Sequence, residues 1–288
     1  MGVILARVRR VLITAAVILV FLVLAGATYQ GATTALERRR FPHPGRLIDV
    51  GGHQLHLYCI GGGAPTVVLE APATGMSAAW GWVQPEVAQV TRVCAYDRSG
   101  LGWSEAGDRG YDPAAVPAEL HALLEQAGEA GPRVMAGEGL GAALATLYAA
   151  QYGAEVAALV LVDPPSPDRP GRRSATRFLN ASPWLARAGV LRATRMMSSS
   201  ASGLPQVSAR PLIAFLNRPD HLTRAASELS RWNDTVALAA GATIDPSIPV
   251  TRIEAAGPSH TALLTDAAGG AAVAGAIKAS VAHVRASR

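Results

Sequence analysis

Arg133-Val134-Met135-Ala136-Gly137-Glu138-Gly139-Leu140-Gly141 is the stretch on which the reading of the fold turns. Its opening run, 133–136, is short and apolar and predicts a strand, whereas the alanine- and leucine-rich run 140–152 predicts a helix. Glycines at 137, 139 and 141 stand between them, so the chain is free to pass from one to the other in a tight turn with positive φ. Outward from this point, short β-branched runs alternate with longer helical ones. Strands are expected at 46–50, 54–60, 66–69, 91–96, 133–136, 158–162, 211–216 and 250–254, and a further helix at 113–126. Gly51-Gly52 marks a hairpin turn between the first two strands. The pattern implies an α/β fold with an eight-stranded, mostly parallel sheet flanked by helices. Residues 164–210, with prolines, arginines and Ser198-Ser199-Ser200, read as an irregular inserted lid.

Composition removes several function classes. Half of the 288 residues are hydrophobic and 16% are charged, which excludes a disordered chain. Aromatics at 5% argue against a stacking platform for single-stranded nucleic acid. Two cysteines are too few for a disulfide scaffold or a structural zinc site, and neither metal nor cofactor is expected. The net charge of +5 resides entirely in residues 1–40, which hold six arginines and one acid, Glu37. Residues 41–288 hold 20 basic and 20 acidic residues, so net charge makes no case for a nucleic-acid partner.

Residues 11–27 read VLITAAVILVFLVLAGA, uncharged and long enough, at the short end, for a membrane-spanning helix. Arg7, Arg9 and Arg10 precede it, and Glu37-Arg38-Arg39-Arg40 lies beyond it. The close basic cluster before the segment puts the amino terminus in the cytoplasm and the chain beyond residue 40 on the exported side. Residues 1–40 are thus an anchor or signal segment, and 41–288 form one domain. Ala25-Gly26-Ala27 also fits a small-x-small cleavage pattern, so secretion after cleavage near Ala27 is the competing reading.

Arg92-Val93-Cys94-Ala95-Tyr96-Asp97-Arg98-Ser99-Gly100-Leu101-Gly102-Trp103-Ser104 and Leu159-Val160-Leu161-Val162-Asp163-Pro164 carry a resemblance. The first looks like the Y-D-R-x-G-x-G-x-S turn of the α/β-hydrolase fold family, the second like its strand-six ending, and the likeness extends over 46–284. The resemblance implies a nucleophile elbow, G-x-S-x-G, where this chain has Gly137-Glu138-Gly139-Leu140-Gly141. Gly139 therefore holds a vacant nucleophile position, and Glu138 stands where many relatives carry histidine. Leu140 and Pro72 occupy the two oxyanion-hole positions, and Pro72 has no N–H to give. A one-residue shift of register would move the second donor to Ala71 or Ala73. By the same resemblance His260 matches the catalytic histidine and Asp220 the acid, with Asp163 as the other candidate acid. The family's strand order sets Cys59 opposite Cys94, and an oxidising compartment makes a disulfide between them plausible.

Each feature has a bland alternative. His260 and Asp220 could be a structural hydrogen-bonded pair, and Trp80 and Trp103 could be core as readily as pocket lining. Glu138 could act as a carboxylate nucleophile or base or line a pocket, although a residue before the nucleophile usually packs away from the site in this fold. Ser77, Ser99, Ser104, Ser166 and Ser259 lie off any elbow and read as turn hydroxyls. The expectation is an exported, membrane-tethered protein, non-catalytic or strongly impaired, binding a small apolar or ester-like ligand or a protein partner. The alternative is an esterase-like hydrolase or a lyase that uses His260 and Asp220 with water or with a nucleophile outside the elbow.

Overall fold

The structure, a computed structural model, describes residues 2–168, 173–254 and 262–287. It opens with helix α1 (Gly2–Arg40), whose apolar side chains are exposed and whose length and composition suffice to cross a membrane. Next comes a hairpin of β1 (Arg46–Asp49) and β2 (Gln54–Ile60). Its turn is made by Gly51 and Gly52, at φ 102° and 108°, where a side chain would be strained. Both of their N–H groups donate to Asp49 Oδ1, at 2.8 and 3.1 Å.

Strands and helices then alternate. The order is β3 (Thr66–Glu70), α2 (Val83–Val87), β4 (Val93–Tyr96), α3 (Val116–Ala127), β5 (Arg133–Glu138), α4 (Leu140–Gln151) and β6 (Val156–Val162). A helical excursion of α5 (Arg173–Arg187), α6 (Val190–Thr194), α7 (Gln206–Phe215), α8 (Pro219–Ser230) and α9 (Trp232–Gly241) intervenes. The chain closes with β7 (Val250–Ile253), α10 (Ala262–Thr265) and α11 (Ala267–Ala286). The sheet order is β1-β2-β4-β3-β5-β6-β7, antiparallel through the first three strands and parallel from β4 onward.

Strands β3, β4 and β5 are buried along their whole length, because helices cover both faces of a parallel sheet. Side chains alternate between those faces. Val67, Leu69, Val134 and Val160 meet Val273, Ile277 and Val281 of α11 on one side. Val68, Met135 and Leu159 meet Leu120, Leu123 and Leu124 of α3 on the other.

Among the described residues the sheet has seven strands, one fewer than the sequence pattern predicts. The missing one is 211–216, which lies largely in α7. Within that helix Ser208, Pro211, Leu212 and Phe215 are buried at spacings of three and four, the period of a helix. A six-residue apolar run does not by itself distinguish the two. The excursion between β6 and β7 also runs past residue 210, to Gly241, and forms a cap with its own apolar core around Leu191, Leu212, Phe215 and Leu222. Cys59 and Cys94 are register partners on β2 and β4, with Cα atoms 4.0 Å apart, and they form a disulfide.

Candidate functional site

The turn from β5 into α4 is built by close approach of backbone. A Cβ on Gly137 would fall within 3.0 Å of the Gly141 carbonyl, and one on Gly141 within 3.0 Å of the Glu70 and Ala71 carbonyls. Only glycine lets the start of α4 press onto the end of β3 in this way. Gly139, at the apex, has φ 55° and ψ −120°. Its N–H donates to the Val162 carbonyl at 3.0 Å, and its carbonyl accepts from Ala142 at 3.0 Å. Among the described residues nothing lies within 4 Å of where its Cβ would stand. Glycine holds this positive φ without a steric penalty, whereas a residue with a side chain would be strained there.

Facing the apex is the loop after β3, Ala71-Pro72-Ala73-Thr74-Gly75. The Arg98 guanidinium donates to the Ala71 carbonyl at 2.7 Å and to the Pro72 carbonyl at 2.9 Å. His221, on α8 of the cap, accepts from Gly102 N–H through Nδ1 and holds the Thr74 carbonyl through Nε2, both at 3.0 Å. That pair of contacts requires a neutral ring protonated on Nε2. Burial, which lowers the His221 pKa, favours the same form.

Asp97 braces the loop from below, accepting from Ser77 N–H at 2.6 Å, Trp103 N–H at 2.9 Å and His56 Nδ1 at 3.0 Å. Burial would raise its pKa, but His56 and those N–H donors outweigh it and leave the carboxyl below its ordinary value. Two serines near these turns have structural work. Ser104 Oγ joins the His56 N–H to the Asp97 carbonyl, and Ser99 Oγ accepts from Gly107.

A cavity of about 440 Å³ opens beside the turn and meets it at Glu138. Its floor is the 72–75 loop and Glu138, and its walls come from the cap, with Phe178, Leu179, Leu212, Leu216 and Ser199, Ser200 and Ser202. Glu138 therefore does line the cavity. Burial, reinforced by the negative charge of Asp163, pushes its pKa up to about 8. Below that pH the side chain is a neutral acid with one proton to donate. The cap serines carried no signal in the sequence beyond being a run of serines, since only the folding of the cap brings them to the cavity.

The other expected site residues are scattered. Leu140 begins α4 and is buried. Asp220 lies exposed in the first turn of α8, where its Oδ1 accepts the His221 N–H at 3.0 Å; the strand that was to precede it does not form. Asp163 directly follows β6 at φ 44°, its N–H bonded to the Ile253 carbonyl, and so stands at the carboxyl end of the sheet beside the elbow. His260 lies outside the described residues. Trp80 is fully buried in the core, and Trp103 lines a separate cavity of about 320 Å³ with Phe41, Pro42 and Tyr58.

Residues 60–241 match the family model described as alpha/beta hydrolase fold. A curated, uncharacterized protein of Schizosaccharomyces pombe is 37% identical over 84 residues, 28% of this chain, and the match spans 15% of that protein's length. Solved structures resemble nearly the whole domain. A thermophilic esterase from Thermogutta terrifontis aligns with TM-score 0.62 and 17% identity over 83% of this chain and 98% of that one. Cfl2 from Burkholderia cenocepacia aligns at 0.63 and 22% over 82% and 95%. The epoxide hydrolase CorEH aligns at 0.53 and 19% over 72% and 80%. At these identities the likeness is one of fold.

Proposed function

The chain belongs to the alpha/beta hydrolase fold family, and on that premise we propose that it is a member whose elbow has lost its nucleophile. In this reading residues 1–40 tether residues 41–288 to a membrane, and the cavity binds a small apolar or ester-like ligand without efficient turnover. The observation that carries it is Gly139: the apex keeps a positive φ, and no described residue lies within 4 Å of where a Cβ would stand, yet glycine has no atom that can attack a carbonyl. Pro72 at the second oxyanion position supports the same conclusion, because loss of one such donor costs about 2.7–4 kcal/mol of transition-state stabilisation.

The disulfide between Cys59 and Cys94 supports an exported domain, since such bonds persist in oxidising compartments. With Arg7, Arg9 and Arg10 on the cytoplasmic side, the domain lies across the membrane from the amino terminus. Contacts between α1 and the cap, made by Gly26 and Gln30, support retention of the anchor over cleavage near Ala27. Turnover by His260 and Asp220 is the weaker reading, because Asp220 would act from an exposed turn of the cap.

Labelling with a serine-directed fluorophosphonate tests the proposal. The wild type is expected to stay unlabelled and Gly139→Ser to label. Gly139→Ser combined with Pro72→Gly should label faster still, by roughly 10²-fold if the lost donor is regained. Stoichiometric labelling of the wild type overturns the proposal. Failure of every form to label overturns the idea that the glycine is the missing part.

A further inference from the structure

Helix α1 and the cap are in backbone contact. A Cβ on Gly26 would fall within 3.0 Å of Ala188 backbone, and one on Gly189 would sit 2.6 Å from the Gly26 carbonyl. One turn further along α1, the Gln30 amide donates to the Asn217 carbonyl at 2.7 Å and accepts from Arg192 Nε at 3.0 Å. Arg192 also forks onto the Glu37 carboxylate. The helix is therefore pinned to the cap at 26, 30 and 37, and the height of the cap along it is set.

That height matters because the apolar run of α1 ends at 27. With a rise of about 1.5 Å per residue, Ala188 and Gly189 fall at the edge of any bilayer that α1 spans. Around that edge the cap exposes apolar side chains. Trp184 is 72% exposed, and Val190 and Met196 are exposed as well. Arg187 stands over the Trp184 ring, 5.1 Å from its centre, and Arg177 and Arg195 are exposed nearby in the sequence. Among the described residues none of these three arginines has a salt bridge. Residues 169–218 hold nine arginines and no acid, although residues 41–288 as a whole carry equal numbers of basic and acidic groups. The cap is thus the positive pole of a neutral domain.

We propose that this cap face, carried by α5, α6 and the turn up to Met196, rests on an anionic phospholipid surface. Trp184 sits among the headgroups and Arg177, Arg187 and Arg195 sit on phosphates. An exposed indole with basic neighbours at the end of a spanning helix suits that layer, where an amphipathic ring has one side in apolar and one in polar surroundings. Anionic headgroups attract each nearby arginine. The same α5 supplies Phe178 and Leu179 to the cavity wall, so the docked cap turns one wall of the cavity toward the lipid. The inference rests on the membrane-tether reading and adds a second, peripheral contact to it.

The full chain reconstituted into vesicles tests both, with flotation reporting the tether and quenching by brominated acyl chains reporting the cap. Of the five tryptophans only Trp184 should be reached, so about one fifth of the emission is expected to be quenched. Trp184→Phe should abolish that component. It should weaken in phosphatidylcholine alone relative to mixtures with phosphatidylglycerol, and in Arg177→Glu/Arg187→Glu/Arg195→Glu. A chain that floats but shows no component removed by Trp184→Phe overturns the docking while the tether stands. Equal quenching in both lipids overturns the anionic requirement. A chain that does not float overturns the tether and the docking with it.

Discussion

Gly139 and Glu138 are neighbours that differ in how much of their role is local. The turn at Gly139 was legible from glycines 137, 139 and 141 between a strand run and a helix run, and the family resemblance is what marked it as an elbow; in the structure a Cβ on Gly137 or Gly141 would strike backbone. The direction of Glu138 was not legible, because it depends on how the cap closes over the turn. Its placement makes a pH prediction. The folded pKa is about 8 against an ordinary value of 4.5, so the folded state holds a proton that the unfolded chain has released between those limits. The stability tied to that proton is fully present below about pH 4.5 and is lost as pH rises through about 8. Glu138→Gln should flatten this loss. Urea unfolding is expected to show the variant more stable than the wild type at pH 8, by on the order of a few kcal/mol, with a smaller difference near pH 5.

Elements were read best where one period dominates. Strand β6 is a continuous apolar run and β3 and β5 have apolar centres, as burial on both faces requires, and the Gly51-Gly52 hairpin reflects turn chemistry. The 211–216 run failed because a short apolar segment fits either period, and the neighbouring cap helices decide which face is covered. Pairing of Cys59 with Cys94 came from the order β2-β4 and its register. Their sequence separation of 35 residues makes the cross-link worth about 3–4 kcal/mol by loop-closure entropy. Replacing both cysteines by alanine should lower the unfolding free energy by that amount. A thiol titration of the denatured, unreduced wild type should find no free thiol.

At the scale of the molecule, the cap and the sheet are joined through one buried cation. Arg98 forks onto Glu228 of α8 at 2.7 and 2.9 Å and reaches Glu70 of β3 at 2.7 Å, while Tyr96 donates to the same Glu70. All four side chains are excluded from solvent. Such a cluster adds little over a well-packed apolar one, but removing a single partner leaves charge uncompensated in a low dielectric. Glu228→Ala is therefore expected to destabilise the domain by about 3–5 kcal/mol, read as a fall in the midpoint of thermal unfolding. The Thr74 N–H, which donates to the same carboxylate at 3.3 Å, would lose its partner too, loosening the loop that faces Gly139.

The linear chain on its own determined the α/β alternation, the apolar helix at the amino terminus, the glycine-rich turn between 136 and 142 and the place where net charge resides. Each of these is local: a period, a composition or a spacing within a few residues. Only the tertiary structure decided that 211–216 is helical, that Glu138 faces the cavity, that cap serines line the same cavity and that Gly26 meets Gly189. Those outcomes depend on contacts between segments far apart in the chain, where burial of one surface against another overrides what either segment prefers alone.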